Sequence, residues 1–187
     1  MLNKLLKVLL LIVSSGIIAS CAGAKMNEIA TVKPVDLSRF MGDWYVIAVI
    51  PTAIETQAYN AIENYKLDVD GTIATTFTYY KGAFDGPLKT YNPRGFVNKE
   101  SGNGLWGMQF IWPFKADFRI AYLDANYQRT IIARNARDYV WIMARTPQIT
   151  DASYLEMTDF VKNLGYDMSK LRKVPQDWSR KPNKVSP

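Results

Sequence analysis

The strongest constraint on this chain is a rhythm of short apolar or alternating segments between Gly42 and Arg145, each closed by turn residues. Residues 104–112 show it best: Trp106, Met108, Phe110 and Trp112 fall on one parity, Gly107 and Gln109 on the other. A period of two is the signature of a strand with one face turned to a core. Residues 116–123 alternate too, with Phe118, Ile120 and Tyr122 against Asp117 and Arg119. Residues 44–50 read as a nearly continuous apolar strand that stops at Pro51. Residues 60–68 and 72–80 flank Asp70-Gly71, a strong hairpin turn. Residues 88–98 contain Pro93, so that strand is interrupted or lies at an edge. Segments 129–134 and 139–145 bring the count to eight. The expected fold is all-β, an eight-stranded antiparallel up-and-down barrel, wide enough for core side chains or one small ligand.

After Arg145 the period changes. Thr150 is placed to cap a helix, and Asp151 suits its first turn. Met157, Phe160, Val161 and Leu164 follow helical spacing, and Gly165 reads as the C-terminal cap. The spacing predicts one amphipathic α-helix packed on the outside of the barrel; contact with a partner helix or a membrane is the other reading. Residues 171–174 fit a short extra strand. The polar stretch 179–187, with two prolines, reads as a disordered tail.

The N-terminus has different chemistry. Lys4 and Lys7 precede the apolar runs 8–13 and 16–19, which only Ser14 and Ser15 interrupt. This is the layout of a removable secretory signal over residues 1–20. The apolar run falls short of the roughly 20 residues that span hydrocarbon. Ile18-Ala19-Ser20-Cys21 resembles the lipobox of bacterial lipoproteins. The resemblance implies that the Cys21 thiol receives a diacylglycerol, that the chain is cut before it, and that its new amine is acylated. Ala22 at the next position implies sorting to the outer membrane. Residues 21–35 then form the lipidated N-terminus and a flexible tether, whose last 14 residues reach roughly 20 Å as a random coil.

Composition removes several function classes. The 187 residues contain one Cys and no His. An internal disulfide, a His-based metal site and a His-activated nucleophile are therefore excluded. Without residues 1–20 the chain keeps 21 basic and 17 acidic residues, a net charge of +4. That excess is mild and unclustered, so no nucleic-acid partner is expected. It is compatible with an anionic membrane surface.

Three separated motifs carry a resemblance to the lipocalin family. Gly42-Asp43-Trp44-Tyr45 resembles the G-x-W-Y signature on the first strand. Leu123-Asp124-Ala125-Asn126-Tyr127 resembles the turn motif between the sixth and seventh strands, with Asp124 and Tyr127 further apart than in the family pattern. Arg145 stands where the family has its third motif, ahead of the trailing helix. The resemblance covers about residues 35–178, places the barrel domain at 36–178, and looks closest to bacterial outer-membrane lipoproteins. It implies structural roles for Gly42, Trp44, Tyr45, Asp124, Tyr127 and Arg145. Trp44 would plug the closed end beneath a turn at 37–41, with Arg145 across its ring.

The same resemblance implies a small apolar ligand in the cup, such as a fatty acid or lysophospholipid. Candidate inward side chains are Tyr65, Phe77, Tyr79, Phe96, Trp106, Met108, Phe110 and Trp141. Each reads equally well as core packing, since a barrel of this size can be filled by its own residues. If Tyr65 faces inward, the period of two brings Glu63 with it, and Arg94 shares a face with Phe96. The reading is a Glu63–Arg94 contact at the ligand head group, or else a Glu63 that sits at the rim in water. The expected function is a lipid-binding or lipid-transporting lipoprotein of the bacterial outer membrane, monomeric or homodimeric, without cofactor, metal or catalysis. The alternatives are a filled barrel that binds another envelope component and a lipid-modifying enzyme. No G-x-S-x-G motif supports the latter.

Overall fold

Asp70 and Gly71 show how local chemistry starts the barrel. Gly71 adopts φ +81°, a conformation that glycine reaches without strain. The Asp70 carboxylate accepts from the Thr72 backbone N–H (2.9 Å) and hydroxyl (2.6 Å). This turn joins β2 (Ala58–Leu67) to β3 (Thr72–Lys81), and Leu67 pairs with Ile73 beside it. In the computed structural model, residues 27–52 and 56–179 are described. The expectations for the signal 1–20, for Cys21 and for the tail beyond Ser179 lie outside these residues.

A short helix α1 (Leu37–Phe40) leads into β1 (Gly42–Ile50). After β3 come β4 (Leu88–Tyr91), β5 (Arg94–Asn98), β6 (Leu105–Ile111), β7 (Phe114–Leu123), β8 (Arg129–Ala133) and β9 (Val140–Ala144). β4 and β5 both pair with β3 and form one strand broken at Asn92-Pro93, where proline has no N–H for the ladder. Every neighbour is antiparallel, and β9 returns to β1 with Tyr45 opposite Ala144 and Ile50 opposite Val140. The result is a closed eight-stranded antiparallel barrel.

Two cores hold it. One fills the barrel and includes Trp44, Val46, Tyr65, Ile73, Phe77, Trp106, Phe118 and Trp141. The other lies between the wall and α2 (Asp151–Asn163), where Met157 and Val161 pack with Ile131, Ile142 and Ala133. β8 and β9 are therefore buried on both faces, which explains their unbroken apolar runs. Thr150 caps α2 by accepting from the Ser153 N–H, and Gly165 follows its end at φ +86°. β10 (Arg172–Lys173) adds to β1.

Residues 27–35 lie along the wall, although they were expected within a flexible tether. Val32 donates to Ile120 O (2.9 Å), and Ile29 is buried in the outer core. The segment between Cys21 and the folded body is correspondingly shorter than 21–35.

Candidate functional site

The closed end of the barrel is built from the motif residues. Trp44 is fully buried at the start of β1, and its Nε1 donates to Phe40 O (2.8 Å). α1 is held beneath it by Asp36, whose carboxylate caps the helix. Arg145 extends from the end of β9, 3.8 Å from the centre of the Trp44 ring, and donates to the carbonyls of Asp43 and Arg39. Asp124 and Tyr127 shape the β7–β8 turn. Asp124 accepts from the Gln128 N–H, and Tyr127 offers its carbonyl to Arg145 and its ring to Arg39.

Above this floor stands an aromatic plug. Phe40, Tyr65, Trp106 and Phe118 lie within 4.9–6.1 Å of one another, centre to centre, along their contacts. Tyr65 and Trp106 thus serve the packing of the closed half. The Tyr65 hydroxyl is buried without a hydrogen-bond partner among the described residues. Burial, with the Glu63 charge nearby, pushes its pKa well above that of an ordinary phenol.

A second cluster lines the wall toward the mouth. Phe77 stacks on Trp141 (5.4 Å) and packs with Tyr79 (5.3 Å) and Tyr91 (6.3 Å). Tyr139 joins through Trp141. Met108 completes the inner wall, its sulfur 3.9 Å from the Thr75 hydroxyl. Residues directly opposite on paired strands share a face. Lys89 is opposite Tyr79, as Tyr91 is opposite Phe77. Lys89 therefore sits on the inner face near the mouth.

Glu63 is on the inner face and 0% exposed, opposite both Trp44 and Phe77, so a rim position in water is excluded. The expected contact with Arg94 is not formed. Arg94 points outward, donating to Asp68 (2.9 Å) and the Thr72 hydroxyl (2.6 Å). Phe96 shares that outer face, with the Lys115 ammonium 3.6 Å from its ring centre. The inward positions on either side of Arg94 are Pro93 and Gly95, both buried. A Cβ at Gly95 would meet Trp106 Cε3 at 3.3 Å, so the Trp106 ring occupies the space a side chain would need. Phe110 is also corrected: it is 44% exposed, because the β6–β7 register shifts after Met108. Phe40, Thr75, Lys89, Tyr91 and Tyr139 were missed as inner or floor residues. For Lys89 and Tyr91 the period of two links them to Pro93 on one face, but nothing within the strand says that this face is the inner one.

The model of the lipocalin-like domain matches residues 35–176. The chain belongs to the lipocalin family. It is 31% identical over 159 residues to temperature-induced lipocalin-1 of Arabidopsis thaliana, covering 80% of this chain and 84% of the relative. It is 27% identical over 173 residues to the outer membrane lipoprotein Blc of Escherichia coli K12, covering 87% and 92%. Among solved structures, insecticyanin of the tobacco hornworm Manduca sexta superposes with a TM-score of 0.66 at 16% identity, covering 84% of this lipocalin and 89% of insecticyanin. That structural likeness concerns the fold. Lipocalins in general bind small hydrophobic molecules.

Proposed function

We propose that this lipocalin is an outer-membrane lipoprotein, anchored through Cys21, that binds and carries a single-chain lipid such as a fatty acid or lysophospholipid. The observation that carries the reading is the inner wall beneath the mouth, where Phe77, Tyr79, Tyr91 and Trp141 lie below Lys89. The aromatic rings offer apolar area to a chain, and each buried methylene contributes about 0.8 kcal/mol before association costs. Lys89 offers a cation to a carboxylate or phosphate head at the mouth. Glu63, opposite Phe77 on one side and Trp44 on the other, disfavours an anionic head in the depths. The chain therefore enters tail first. The similarity to outer membrane lipoproteins of Escherichia coli and Citrobacter freundii supports the envelope location.

The test is organic extraction and mass spectrometry of the mature chain purified from membranes. A roughly equimolar fatty acid or lysophospholipid is expected, together with quenching of Trp fluorescence by added fatty acid. Lys89→Gln is expected to weaken fatty-acid binding and leave an uncharged long-chain alcohol unaffected. No co-purifying lipid and no quenching would overturn the proposal. They would favour a filled barrel that binds an envelope component, a reading that the aromatic plug of Phe40, Trp44, Tyr65, Trp106 and Phe118 also suits.

A further inference from the structure

Two independent features meet at the open end of the barrel. The first is the strap formed by residues 27–35. Val35 donates to Gly102 O (2.8 Å), in the β5–β6 turn at the closed end. Going toward the N-terminus, Val32 reaches Ile120, and Ile29 donates to the Asn135 side chain (2.8 Å). Arg119 holds Ile29 O (2.9 Å) and Glu28 (2.7 Å), and Arg137 holds Asn27 O (2.6 Å). Asn135 and Arg137 belong to the β8–β9 loop, at the open end. The strap thus climbs the whole wall and delivers Asn27 to the mouth side. Five residues lie between Cys21 and Asn27, six Cα steps and at most roughly 20 Å of extended chain.

The second feature is the β6–β7 hairpin, whose tip is at the same end. Ile111 is 73% exposed, Trp112 82% and Phe114 75%. Soluble surfaces seldom gather such side chains without a partner. Trp beside Phe and Ile is the chemistry of the membrane–water boundary, where an indole keeps its N–H among headgroups and its ring against acyl chains. Lys115 follows the hairpin, and Lys81 and Lys89 lie at the same end, alongside Asp85 and Asp138. Such cations match anionic headgroups.

We propose that the mouth of the barrel faces the bilayer that holds Cys21, with the hairpin at 111–114 seating Ile111, Trp112 and Phe114 at the boundary between headgroups and acyl chains. The orientation rests on the anchoring proposed above; the hairpin contact stands on its own exposure and chemistry. In this arrangement the cup opens onto the surface that holds its lipid, and cargo passes without crossing bulk water.

The experiment places the mature chain on vesicles of phosphatidylethanolamine and phosphatidylglycerol with brominated acyl chains. Wild-type Trp emission is expected to be quenched, and Trp112→Phe is expected to lose that quenching, because Trp44, Trp106 and Trp141 are buried inside the barrel and Trp178 packs on Tyr45 toward the closed end. Equal quenching in wild type and Trp112→Phe would overturn the proposal. So would a Trp112 that stays open to aqueous iodide on the vesicles, or cross-links at position 112 that join two copies while brominated lipid has no effect. A chain that carries no acyl groups yet shows the Trp112 quenching upholds the hairpin contact and overturns the anchor alone. Displacement of a fluorescent fatty acid without vesicles reads the cup separately, and Trp112→Phe is expected to leave it unchanged.

Discussion

The Arg145 guanidinium covers the Trp44 ring at 3.8 Å and hydrogen-bonds the carbonyls of Asp43 (2.7 Å), Arg39 (2.8 Å), Phe40 (2.9 Å) and Tyr127 (3.3 Å). One side chain thereby ties the end of β9 to the start of β1, to α1 and to the β7–β8 turn. Burial lowers its pKa from the free value, but a guanidinium stays charged at any working pH.

Arg145→Ala removes the cation over the ring and the donors to these carbonyls. The expected loss of stability is on the order of 3 kcal/mol, from a shielded cation–π contact and charged hydrogen bonds. Arg145→Lys keeps the charge without the planar fork and is expected to recover only part of it. Urea midpoints of the three proteins measure this. An unchanged midpoint for Arg145→Ala would show that the closed end is held by packing alone.

Gly95 is the smallest residue of β5 because the Trp106 ring lies over it. An added Cβ would stand 3.1 Å from Ile73 Cβ and 3.3 Å from Trp106 Cε3, and both neighbours are fully packed. Gly95→Ala is expected to destabilise by about 1 kcal/mol through overpacking. Trp106→Phe in the same chain makes room, so the two changes are expected to be non-additive in a double-mutant cycle of thermal midpoints. Simple additivity would mean that the wall moves instead of the ring.

This position also explains what the sequence could and could not tell. The strands were legible because proline, glycine and a two-residue period are local signals, as at Pro51 and Asp70-Gly71. Glu63 was legible as inward because Tyr65 set the phase of β2. Arg94 and Phe96 were placed on the wrong side because their strand carries a large aromatic on the outer face and a glycine on the inner one. That inversion follows from Trp106, which projects from the neighbouring strand. The phase is thus decided across the barrel, beyond the reach of any pattern within 88–98. Phe110 failed for a related reason: alternation does not show where a strand leaves the wall. The strap at 27–35 has no period at all, since single contacts such as Arg119 with Ile29 hold it.

Tyr166 links stability to alkaline pH. Its buried hydroxyl accepts from the Arg134 N–H (2.9 Å) and donates to Arg134 O (3.1 Å). Burial raises its pKa to about 12 from 10. The folded chain holds this proton where the unfolded chain has released it, so the contribution is complete below pH 10 and declines as pH rises toward 12. The loss is expected to reach about 2 kcal/mol. Tyr166→Phe is expected to cost about 1 kcal/mol at pH 7 and to flatten the decline between pH 10 and 12. An equal decline in both proteins would assign it to other tyrosines.

Arg119 tests whether the strap is a unit distinct from the barrel. Its guanidinium meets both Asp117 oxygens (2.9 and 3.0 Å), the Ile29 carbonyl and Glu28. None of these contacts reaches into the barrel. Arg119→Ala leaves the inner core intact, whereas Ile29 loses the group that holds its carbonyl. Local opening of the strap is therefore expected to become about tenfold more frequent, since a charged hydrogen bond is worth about 1.5 kcal/mol or more. Amide exchange reads this directly. The Ile29 and Val32 N–H groups, which donate to Asn135 and Ile120, are expected to exchange faster, while Ile131 and Ile142 keep their protection. A uniform loss of protection through β7, β8 and β9 would make Arg119 a support of the wall itself, and the strap would then be part of the barrel's own cooperative unit.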